Sequence, residues 1–122
     1  MTFQKFLIDN LLRQHKQFGK LIVAYDFDNT VYPFSCDLEM LLPIHALIRK
    51  AKEKGCECVC FTSSDMGLDK ITGFLHYNNI PCDGVNKSSV YNEGKMYYNI
   101  LLDDKAGLQE TIQTLEIVLD LI

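Results

Sequence analysis

Apolar and polar residues follow one another along this chain in blocks whose period changes. Residues 3–17, FQKFLIDNLLRQHKQ, place Phe3, Phe6, Leu7 and Leu11 at helical spacing, with Phe18 just beyond. Gly19 stands where such a helix would stop. Leu21–Phe27 is then nearly all apolar, as expected of a parallel strand covered on both faces. Residues 31–37 read as a loop containing Pro33, and 38–54 as a helix capped by Asp37 and ended by Gly55. Pro43 predicts either a kink in that helix or a start near residue 42.

Glu57–Phe61 reads as a second strand, and a helix is predicted from about Asp65 to Tyr77. A third strand is predicted over Ile80–Val85, a polar loop over NKSSVYNEGK, and a fourth strand over Tyr98–Leu102. The last helix runs from about Lys105 to the end, with Leu108, Ile112, Leu115, Val118 and Leu119 as its buried face. Strand and helix in alternation predict an α/β fold: a three-layer, Rossmann-like parallel sheet with helices on both faces. The expected organisation is one domain over 1–122, with an N-terminal helix (1–19), a core (20–107) and a C-terminal helix (105–122).

Composition narrows the function only a little. The 122 residues can bury one modest core, and the net charge of −4 makes extended nucleic-acid binding an unlikely role. No apolar run is long enough to span a membrane, and the N-terminus lacks the order of a signal peptide. Cys56, Cys58 and Cys60 alternate along one strand, so they share a face and are too far apart to bridge comfortably. They read as small core residues in a reducing, cytoplasmic setting.

In a parallel α/β sheet, ligands bind beyond the carboxyl ends of the strands. Past strand one stand Asp26, Asp28 and Thr30; past strand two, Thr62, Ser63 and Ser64; past strand three, Asn86 and Lys87; past strand four, Asp103 and Asp104. Clustered carboxylates repel unless a proton or a cation joins them. A hard divalent ion such as Mg²⁺, held by one or two carboxylates and a phosphate, removes that cost. Asp26 with Asp103 or Asp104 would suit it, and Thr62 and Ser63 could hold phosphate oxygens. Blander roles exist for several of these residues. The Thr62–Ser64 hydroxyls and Asp104 could cap the helices that follow them, and Asn86 could be a turn residue. His15, His45 and His76 fall on helices as packing or surface residues.

Four segments in order, YDFDNTV, VCFTSS, the lysine of GKMYYN and ILLDDKA, resemble the haloacid dehalogenase superfamily of phosphotransferases and phosphatases. The GK followed by a strand and LLDDKA is similar to small hydrolases of that superfamily. The resemblance spans roughly residues 20–107. It implies that Asp26 is the nucleophile and Asp28 the general acid/base, with the Asp28 backbone carbonyl facing the metal. It implies further that Thr62 binds the transferring phosphoryl group, that Lys95 positions it, and that Asp103 and Asp104 anchor Mg²⁺. Lys87 competes with Lys95 for the lysine role, and the GK spacing before DD favours Lys95. Asn29 stands where many members have glycine, and Met96 where proline is frequent.

The gaps between these segments leave no room for the cap domain that many members insert. The function expected is therefore a capless, Mg²⁺-dependent phosphomonoester hydrolase. The alternative is a catalytically weak phosphate-sensing or partner-binding domain. Substrate contacts are expected from Thr30, Ser63, Asn86 and Lys87. The expected partner is a phosphorylated small molecule or macromolecule, with a second copy of the chain as a further candidate.

Overall fold

The computed structural model describes residues 1–92 and 95–122, with the side chains of Tyr91, Asn92 and Lys95 outside the description. Helix α1 (Phe3–Phe18) leads into strand β1 (Ile22–Asp26), followed by α2 (Leu38–Glu53), β2 (Glu57–Phe61), α3 (Leu68–Tyr77) and β3 (Gly84–Val85). Two short strands, β4 (Tyr91–Asn92) and β5 (Lys95–Met96), precede β6 (Ile100–Leu102) and the last helix, α4 (Leu108–Leu121). The main sheet has the order β3-β2-β1-β6, and every pairing in it is parallel. β4 and β5 form a separate antiparallel pair. The architecture is the expected three-layer, Rossmann-like α/β form, with no cap domain among the described residues.

Connection handedness explains how the two faces are covered. The crossovers β1-α2-β2 and β2-α3-β3 step the same way across the sheet, so the right-handed rule puts α2 and α3 on one face. Leu47 and Ile48 of α2 and Ile71 and Leu75 of α3 do share one buried cluster with Leu21, Val23, Tyr25 and Phe27. Leu115, Val118 and Leu119 of α4 join it, as does Leu11 of α1. The step from β3 to β6 runs back across β1, so the same rule puts its connection on the opposite face. There Met96 and Tyr97 pack over Ile22, Ala24 and Val59. The end of α1 reaches this side too, where Gln14 Oε1 accepts from Asn99 Nδ2 at 2.8 Å. Among the described residues this second layer is thin, and its cover lies over Ile22, Ala24 and Val59.

Several expectations need adjusting. α1 packs through Ile8, Leu11 and Leu12, while Phe3, Phe6 and Phe18 are exposed. Phe3 and Phe6 stack on each other, 6.1 Å apart. Gly19, at φ 83°, closes the helix as expected, and at its start Thr2 Oγ1 accepts from Lys5 N, a cap the sequence reading did not name. Pro43 sits inside α2, which starts at Leu38, and the Asp37 side chain makes no cap bond. α3 begins three residues later than Asp65, because residues 62–67 are occupied by side-chain turns described below. β3 is only two residues long. Asn86 turns the chain with φ 56° directly after it, and a Cβ on Gly84 would lie 2.7 Å from the Lys87 carbonyl oxygen. Cys56, Cys58 and Cys60 are buried and unbridged, as expected. Burial pushes the Cys58 and Cys60 thiols up to about 12, which makes them packing groups and not nucleophiles. No described helix is long and apolar enough to cross a membrane.

Candidate active site

β1 and β2 run side by side with Asp26 opposite Phe61, and β6 pairs with β1 on its other edge. Tyr25 and Phe27 are fully buried in the main core, so the intervening Asp26 points to the opposite face, which the described residues cover only in part. The chain then folds back sharply. The Phe27 carbonyl accepts from Val31 N at 3.1 Å and Tyr32 N at 2.9 Å, and Asn29 takes φ 58°. Asparagine tolerates that left-handed backbone, which is why it can stand in the turn. Its Oδ1 accepts from Ser35 N at 2.8 Å and its Nδ2 donates to Ser35 Oγ at 2.9 Å, tying down the loop. From α2, His45 Nε2 bonds the Val31 carbonyl at 2.8 Å. Burial holds the ring below its usual range, and the neutral ring donates.

β6 delivers the other acids. Asp103 Oδ1 accepts from Lys105 N at 3.0 Å, and Ala106 N bonds the Asp103 carbonyl at 3.0 Å, so the segment after β6 is a fixed turn. Thr30 Oγ1 accepts from Asp104 N at 3.1 Å. Carboxylate oxygens of Asp26, Asp103 and Asp104 consequently lie within 4.8 Å of one another.

Such a cluster raises the cost of ionising its members. Asp26 is pushed up from 3.8 to about 7, first by burial, then by the Asp103 charge and by a hydrogen bond and charge from Asp104. The Phe27 backbone pulls weakly the other way. Among the described residues, no lysine or arginine forms an ion pair with any of the three. The donors are all hard oxygens, converging from two strands, so the set fits a divalent cation such as Mg²⁺.

The three acids face a cavity of about 670 Å³, whose walls include Asp28, Thr62, Ser63 and Asn86. Asn86 grips the strand-two loop through the backbone N–H and C=O of one residue, Thr62. Its Oδ1 accepts from Thr62 N at 2.7 Å and its Nδ2 donates to the Thr62 carbonyl at 2.8 Å. Thr62 Oγ1 accepts from Ser64 N at 3.0 Å, and Ser64 Oγ from Met66 N at 3.2 Å. The hydroxyls therefore shape the loop and do not cap α3, which starts after Gly67.

Asp26, Asp28, Thr62, Ser63, Asn86, Asp103 and Asp104 are thus brought to one cavity. Asp28 lines it without joining the carboxylate triad. Thr30 is displaced from its expected place among the substrate contacts. It is fully buried, with its hydroxyl engaged by Asp104. Asn86 also acts on Thr62 through both of its amide atoms. Lys87 is not in this cavity: the turn at Asn86 sends it to a different one, beside Lys20, Lys52 and Asp83. The Lys95 side chain, expected to be the catalytic lysine, lies outside the described residues. Asp104 does not cap α4, since Gly107 holds that position. Sequence reasoning missed the Asn29–Ser35 clamp and the His45 tether, and it passed over Phe34, Phe61 and Lys105, which also line the cavity. For Phe61 a signal existed: it is the strand residue opposite Asp26. Comparisons of the chain with protein-family models, curated proteins and solved structures return no match.

Proposed function

We propose that this protein is a Mg²⁺-dependent phosphomonoester hydrolase of the haloacid dehalogenase-like kind, without a cap, working through an aspartyl-phosphate on Asp26. The observation that supports this most is the convergence of Asp26, Asp103 and Asp104 beside the fixed Thr62 loop. Asp26, Asp103 and Asp104 would hold Mg²⁺, which when bound neutralises charge between carboxylate and phosphate.

An Asp26 carboxylate oxygen attacks phosphorus, and the bond from phosphorus to the ester oxygen breaks. Asp28 gives its proton to the departing alkoxide. Asp28, now a carboxylate, takes a proton from water, and that water attacks the aspartyl-phosphate at phosphorus. The phosphorus–Asp26 bond breaks, so inorganic phosphate leaves and Asp26 is regenerated. The Thr62 and Ser63 hydroxyls and the Ser63 N–H hold the non-reacting phosphate oxygens, while the Thr62 N–H stays with Asn86. The charge-balancing role that the resemblance implies is given to Lys95.

Purified protein should hydrolyse p-nitrophenyl phosphate with Mg²⁺, and EDTA should abolish that activity. Asp26→Asn should lose it while still folding. Metal-independent turnover, or full activity in Asp26→Asn, would exclude this function.

A further inference from the structure

Two largely exposed aromatic rings line the acidic cavity, without an evident packing role among the described residues. Phe34 is 70% exposed and Phe61 is 42% exposed, and both line the cavity that holds Asp26. Among the described residues neither ring pairs with another aromatic, although Phe27, Tyr32 and Phe74 do so nearby.

Their placement is tied to Asp26. Phe61 is the register partner of Asp26 on the adjacent parallel strand, so the two side chains project on the same face about one strand spacing apart, roughly 4.8 Å. The cover of that face by Met96 and Tyr97 lies over Ile22, Ala24 and Val59, toward the other end of the strands. Phe34 reaches the same cavity from the loop after β1, which is held by Phe34 N donating to the Tyr32 carbonyl at 2.9 Å and by the Asn29–Ser35 bonds. Both rings are therefore mounted on fixed backbone, and an aromatic ligand would find its surface prepared.

We propose that Phe34 and Phe61 form a subsite for the leaving group, and that the preferred substrates are phosphate monoesters carrying an uncharged aromatic ring on or next to the ester carbon. The proposal rests on the phosphatase reading of Asp26 and adds the substrate class to it. A ring bonded that close to phosphorus would lie along Phe61 as Asp26 attacks. An aliphatic group would gain area but no stacking.

The test reads binding as well as turnover. Calorimetry on the full chain with Mg²⁺ compares benzylphosphonate with ethylphosphonate, neither of which can be hydrolysed. The wild type should bind the benzyl compound roughly five- to tenfold more tightly, the range expected of one or two ring contacts. Phe61→Leu, which keeps apolar bulk, and Phe34→Ala should each bring that ratio toward one. The same ratio should appear in KM, not kcat, for benzyl against ethyl phosphate. Equal affinity for the two phosphonates, or a ratio unmoved in both variants, overturns the aromatic subsite and leaves the phosphatase reading in place. If neither phosphonate binds, the phosphate site itself is refuted, and the subsite falls with it.

Discussion

Thr30 Oγ1 joins the turn after β1 to the segment after β6, accepting from Asp104 N at 3.1 Å and donating to Asp104 Oδ1 at 3.4 Å. Thr30 is fully buried while Asp104 is exposed, so the Thr30 hydroxyl has Asp104 as its partner in place of solvent. Thr30→Val keeps the shape and removes both bonds, which should cost about 1 kcal/mol in urea unfolding. It should also weaken Mg²⁺ binding several-fold, because Asp104 is no longer aimed at Asp26 and Asp103. Thr30→Ser should recover most of both losses. Unchanged Mg²⁺ affinity in Thr30→Val would break this link between the two strand ends.

Asn86 plays the corresponding part for the Thr62 side of the cavity. Asn86→Gly tolerates the φ of 56° and deletes only the two bonds to Thr62, which isolates the clamp from backbone strain. KM for p-nitrophenyl phosphate should rise several-fold, with Mg²⁺ affinity unchanged. Asn86→Ala should be less stable than Asn86→Gly by about 1 kcal/mol, since alanine also resists the left-handed backbone. Equal stability of the two variants would show that φ at this position is relaxed in alanine.

Much of this arrangement was legible in the sequence because the strands are. Leu21–Phe27 and Tyr98–Leu102 are apolar runs that end in acids, and strand alternation alone turns Asp26 away from Phe27. What escaped depends on turns and on burial by distant elements. Nothing local marks Thr30 as covered, since its partner lies 74 residues away. Lys87 reads as a rim residue until the turn at Asn86 redirects it. The β4–β5 pair comprises two-residue strands, too short for an alternating pattern to register. In α1, two helical stripes compete, and packing against α4 selected the one through Leu11 over Phe3 and Phe6.

If the triad binds Mg²⁺ as proposed, the raised Asp26 carboxyl should make that binding depend on pH. A proton and the cation compete for the same oxygens, so apparent Mg²⁺ affinity should climb as pH rises toward about 7 and level off above it. Metal-free stability should move the other way. The folded state holds a proton that the unfolded chain releases near 3.8, so this group's contribution is lost as pH rises from about 4 to about 7. His45 acts oppositely, because its buried neutral ring loses stability as pH falls below 6.5. The gain in melting temperature on adding Mg²⁺, taken at each pH from 5.5 to 8.5, cancels the His45 contribution. That gain should grow with pH up to about 7, and in Asp104→Asn the rise should shift to lower pH. A gain independent of pH would mean that Asp26 is not a ligand.

Asp28 lines the cavity and stands apart from the carboxylate triad, which suits a group that moves protons while its neighbours hold charge. Asp28→Asn keeps the size and polarity of the side chain and removes its ability to donate to an alkoxide or to accept a proton from water. Steady-state turnover of p-nitrophenyl phosphate should fall by about 10²–10⁴-fold. The two half-reactions should not suffer equally. p-Nitrophenolate leaves without needing a proton, so attack by Asp26 should remain measurable while hydrolysis of the aspartyl-phosphate stalls. Rapid mixing should then give a burst of nitrophenolate approaching one equivalent, and acid-quenched protein should carry a phosphate that hydroxylamine releases. Asp26→Asn in the same background should abolish the burst. If Asp28→Asn slows turnover with no burst and no hydroxylamine-labile phosphate, water attacks the substrate directly, and Asp26 is a metal ligand only.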